Sequence, residues 1–116
     1  MDKKFKKKML KTYFENTVVT IARTVAENVF QDTLTATEGD NLLTTENMKS
    51  ALYKHYEESK VLGRFWVTDR TLLRAEEVKT FKPTEIEAMI DEAVKVDFKK
   101  EVDQLREIFG YDNMGD

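Results

Sequence analysis

What this chain does without narrows the field before any residue is placed. It has no cysteine, one proline, four glycines, one histidine and one tryptophan among 116 residues. Without cysteine there is no disulfide and no thiolate-bound metal, a usage that fits a reducing compartment and makes the cytoplasm the expected location. The single proline and the few glycines favour long, uninterrupted elements. No apolar run approaches the roughly twenty residues of a membrane span. The best stretch, TVVTIARTVAENVF, is broken by Arg23, Glu27 and Asn28. The lysines at the start imitate a secretory leader, but Glu15 and Asn16 interrupt the apolar region and no small-residue cleavage site follows.

The apparatus of catalysis is equally thin. There is no nucleophile elbow, Walker loop, dinucleotide fingerprint or metal-binding histidine pair. His55 falls on or near a predicted apolar helix face beside Tyr56, where a lone imidazole packs and hydrogen-bonds, because catalysis needs a partner network. Adjacent acids such as Asp91/Glu92 and Glu57/Glu58 diverge around a helix. Glu87 and Asp91 could be joined by Glu15 or Glu27 from another helix, but the Glu-x-x-His pairs of a carboxylate metal site are missing. GDNLLTTEN has the outline of half a calcium loop. With Glu46 as its twelfth position, however, the first, third and fifth become Thr35, Thr37 and Gly39, which offer no carboxylate. The expectation is a protein that is not an enzyme, with no cofactor, no metal and no small-molecule substrate.

What is present is enough for one domain spanning residues 1–116. Twelve aromatic residues and a hydrophobic fraction of 41% supply a core, while 35% charged residues imply a heavily solvated surface. The net charge of −3 is unevenly spread: residues 1–34 carry +3 and residues 35–116 carry −6. Such asymmetry marks an interaction segment, or lets the basic end of one copy lie on the acidic end of another.

Residues 3–33 read as a long helix with a basic start over residues 1–14. Its apolar pairs recur every four residues: Met9/Leu10, Tyr13/Phe14, Thr17/Val18, Ile21/Ala22, Val25/Ala26 and Val29/Phe30. At about 100° per residue each step advances the stripe about 40°, so five steps turn it roughly 200° around the axis. Either this helix bends or breaks, or its halves pack against different neighbours. Residues 35–43 read as a loop, followed by a helix over 45–60 capped by Thr44 or Thr45, with Met48, Ala51, Leu52, His55 and Tyr56 inward and Gly63 as its stop. RFWVTD reads as extended or irregular, and Thr68 or Asp69 as the cap of a third helix, RTLLRAEEV. Pro83 and the TEIE capping box at Thr84 and Glu87 open a last helix with Ile86, Met89/Ile90, Ala93, Phe98, Val102, Leu105 and Ile108/Phe109 inward. Asp103 and Arg106 lace its outer face, Gly110 fits its C-cap, and an acidic tail, 111–116, reads as frayed. The fold expected is an all-α bundle of about four helices, with the long first and last helices paired antiparallel.

Two stretches carry candidate binding residues. LGRFWV holds the unique Trp66 with Arg64 and Phe65, residue types that dominate interface energetics, or else plugs of the core. KKFKKKMLK places Lys3, Lys4, Lys6, Lys7, Lys8 and Lys11 around Phe5 and Met9, the outline of a basic amphipathic segment. It could contact phosphate backbones or, less favourably, a membrane surface, or simply form a solvated helix face. A helix-turn-helix fails because KVLGRFWVTD is too long and too apolar for its turn. The expectation is a non-catalytic regulatory or accessory protein, of the kind common in bacteria and their phages, that acts through protein–protein contacts and possible self-association. Its candidate contacts are Phe5, Met9, Phe14, Arg64, Phe65 and Trp66. Nucleic-acid binding through the six lysines is the alternative.

Overall fold

Asp2 starts the first helix by accepting the Phe5 backbone N–H on its carboxylate at 2.8 Å, supplying the negative end that the following lysines cannot. The computed structural model describes residues 2–109. The expected cap at Gly110 and the tail 111–116 lie outside the described residues, as do the side chains of Arg106, Ile108 and Phe109. Helix α1, Lys3–Phe30, runs unbroken. Its 28 residues span about 42 Å and set the long axis of a molecule measuring 45 × 22 × 20 Å. It ends three residues earlier than its sequence pattern suggests, where Asp32 takes a left-handed conformation (φ 61°) and the N–H groups of Thr33 and Leu34 close onto the Asn28 carbonyl.

The turning stripe of α1 is resolved by a change of neighbours, not by a bend. Its first half meets α3 (Thr45–Leu62), a two-stranded hairpin of β1 (Arg64–Trp66) and β2 (Leu72–Arg74), and α5 (Pro83–Glu92). There the Tyr13 hydroxyl bonds Ser59 at 2.8 Å and the Asn16 amide donates to the Val67 carbonyl at 2.7 Å. The second half meets α2 (Ala36–Leu42) and α6 (Lys99–Phe109). Tyr13, Phe14, Tyr56 and Phe65 form an aromatic cluster at the centre, with Tyr13 edge-on to both phenylalanines at 5.1 and 5.4 Å between ring centres.

Residues 83–109 form one rod in which a π-helical segment, Ala93–Phe98, separates α5 from α6. The interruption has a packing cause. Counted at about 100° per residue from Ile86, Phe98 and Leu105 would lie about 120° and about 100° off the buried stripe. One extra residue in a turn absorbs about 100° and returns both side chains, which are buried, to the face that meets α1. The rod opens two residues earlier than expected: Lys82 occupies the cap position, Pro83 the first helical one, and the Glu85 carboxylate accepts the Lys82 N–H at 3.1 Å.

Four expectations are corrected. The first and last helices pair in parallel, since Lys3, Lys11 and Arg23 meet Glu85, Glu92 and Glu101 in the same ascending order. Residues 35–43 hold α2, capped by a Thr35/Glu38 box instead of forming a loop. The predicted third helix is split: Leu72–Arg74 is a strand that pairs with Arg64–Trp66, and only one helical turn, α4 (Ala75–Val78), follows it. Thr68 does accept N–H groups, from Arg70 and Thr71, but it does so inside the hairpin turn. A threonine hydroxyl serves a tight turn and a helix cap by the same hydrogen bonds, so the sequence signal is shared. His55 is exposed on α3, because Leu52 and Tyr56 carry the face that reaches the core.

The Glu101 carboxylate is buried and paired with the Arg23 Nε at 2.7 Å, while Arg23 itself is largely exposed. Replacing Arg23 with methionine strands a buried charge and should cost about 1–2 kcal/mol by urea unfolding, below the range for a fully buried pair because water reaches the guanidinium. The double variant Arg23→Met/Glu101→Leu should recover most of that loss.

Candidate interaction surface

The six lysines of KKFKKKMLK do not form one free patch. Lys3, Lys7 and Lys11 recur every four residues on the side of α1 that runs beside α5. Lys3 pairs with Glu85 at 3.2 Å and lies over the Phe81 ring, and Lys11 pairs with Glu92 at 3.3 Å. Lys7 shares a crevice with Lys11, Glu85 and Glu92. Two of the six therefore stitch the two helices together, and Lys4, Lys6, Lys7 and Lys8 make no ion pair among the described residues. Of the apolar residues threaded between and after them, Met9 and Phe14 are buried in the chain's own core, which removes both as direct partner contacts. Phe5 stays 51% exposed.

The hairpin separates LGRFWV into two roles. Strand alternation turns Phe65 and Leu73 into the core and leaves Arg64, Trp66 and Arg74 outside. Phe65 is fully buried against Tyr13 and Tyr56 and is therefore structural, not a direct contact. Trp66 is 50% exposed and faces Leu72 across the ladder, while Arg64 faces Arg74. Like charges directly opposite one another are unfavourable, and among the described residues neither guanidinium has an acidic partner. The Glu77 carboxylate accepts the Arg74 backbone N–H.

Sequence reasoning missed the apolar residues that adjoin the hairpin. Val61 and Leu62, the last two residues of α3, are 88% and 75% exposed. The signal was available: Val61 lies nine residues after the buried Leu52, which is about 180° around the helix. Lys54, Glu57, Glu58 and Val61 share that outward face and, with Leu62, line a surface hollow of about 670 Å³. Gly63, left-handed at φ 75°, ends α3 and swings the chain directly into β1, so this helix end lies only a few residues from the exposed tryptophan, beside the middle of α1.

A second groove, of about 620 Å³, lies between the start of α3 and the π-helical segment. Val94, Phe98 and Val102 form part of its lining, with Lys49, Lys95, Lys99, Asp91 and Asp103 around them. Lys49 and Asp91 are bonded to each other across it at 3.1 Å, so part of its polar rim is already satisfied within the chain. Glu87 lies exposed one turn before Asp91, and Glu27 is exposed on α1. Among the described residues no group of three or more histidine or acidic side chains could hold a metal ion, and no helix is long and apolar enough to cross a membrane.

Comparison with known proteins returns no matching family model, no matching curated protein and no matching solved structure.

One acidic cluster opposes the fold. Partial burial, then the charges of Asp97 and Glu92, hold the Glu15 carboxyl above its ordinary range, and burial with Glu92 does the same to Asp97. A carboxyl raised in the folded state favours folding below its unfolded value and opposes it once ionised. Glu15→Gln combined with Asp97→Asn should therefore raise the melting temperature near neutral pH, with the gain fading as pH falls below about 4. Glu85 is shifted the other way, chiefly by the Lys82 N–H and then by Lys3. Glu85→Gln should lower the melting temperature at neutral pH and lose its effect in acid, as thermal scans across pH would reveal.

Proposed function

We propose that this protein is a non-catalytic interaction factor, a small regulatory or accessory protein that works through protein–protein contacts made at the α3–hairpin end. The observation that carries the reading is the joint exposure of Val61, Leu62 and Trp66 at that end while their neighbour Phe65 is fully buried. A chain that folds Phe65 inward and leaves the tryptophan outside gives up core volume there, and exposed apolar patches rimmed by polar residues mark contact sites. Tryptophan and arginine are the residue types that dominate such contacts, and both stand on the outer face of the hairpin. A setting in the reducing cytoplasm of a bacterium or its phage belongs to the same proposal and rests on the cysteine-free composition and small size.

Phosphate binding by α1 is the competing reading, and the ion pairs of Lys3 and Lys11 weaken it by engaging two of its cations. The full chain, immobilised and exposed to extract from its source cells, separates the two. Leu62→Asp/Trp66→Ala should lose the captured protein, whereas Lys4→Gln/Lys6→Gln/Lys8→Gln should keep it. Capture that survives the first variant, and that is lost with the second or on nuclease treatment, assigns the contact to nucleic acid and the lysine helix.

A further inference from the structure

We draw no further inference here: the strongest candidate, the open groove of about 620 Å³ between the start of α3 and the π-helical segment, has Lys49 paired with Asp91 and sets Lys95 and Lys99 beside Asp103 on its rim, so nothing in the structure shows what covers it.

Discussion

The apolar stripe of α1 advances by four residues where the helix turns every 3.6, and the rest of the molecule is arranged around that mismatch. Met9, Leu10, Tyr13, Phe14, Thr17, Val18, Ala22 and Ala26 are all buried, yet they cannot face one neighbour because the stripe rotates about 40° with each step. A long straight helix with such a stripe needs cover from successive directions. The aromatic cluster of Tyr13, Phe14, Tyr56 and Phe65 supplies it near the start, and α2 and α6 supply it near the end. Residue size follows the change: bulky aromatics give way to Ala22 and Ala26, both fully buried.

The rod of residues 83–109 solves the complementary problem. It accompanies α1 in parallel, held at intervals by Lys3–Glu85, Lys11–Glu92 and Arg23–Glu101. Its own stripe would leave α1 beyond Ala93 were it purely α-helical, and the π-helical turn brings Phe98 and Leu105 back. The lysine-rich start is explained largely from within. Half of those lysines border acidic α5, and the opposing signs of the chain's two halves meet inside one molecule.

Long elements were legible from sequence because many residues vote for each. The 28-residue helix, the helix of residues 45–62 with its Thr44 and Gly63 caps, and the all-α class all follow from apolar periodicity and end signals. Short elements were not, because their signals are shared. Thr68 takes the N–H groups of a hairpin turn as readily as those of a helix. Gly39, Asp40 and Asn41 suggest a loop, yet Thr35 and Glu38 three residues apart already form a capping box. Strand alternation over three residues cannot be told in advance, so whether Phe65 or Trp66 pointed inward was settled only by the pairing of Phe65 with Leu73. The contact surface was half legible. Arg64 and Trp66 stood out by type, whereas Val61 and Leu62 were hidden by reading the end of α3 as the start of a linker.

The account places function at the α3–hairpin surface, where Val61, Leu62 and Trp66 are left outside close together and Arg64 faces Arg74. The absence of cysteine gives a direct way to look there. A single Leu62→Cys substitution puts a thiol at the proposed contact, where it can carry a thiol-attached cross-linker, and Thr20→Cys on the exposed side of α1 serves as the control. In extract from the source cells the account predicts a cross-linked protein partner from the Leu62→Cys protein and little from the control. Equal cross-linking of both proteins would contradict it.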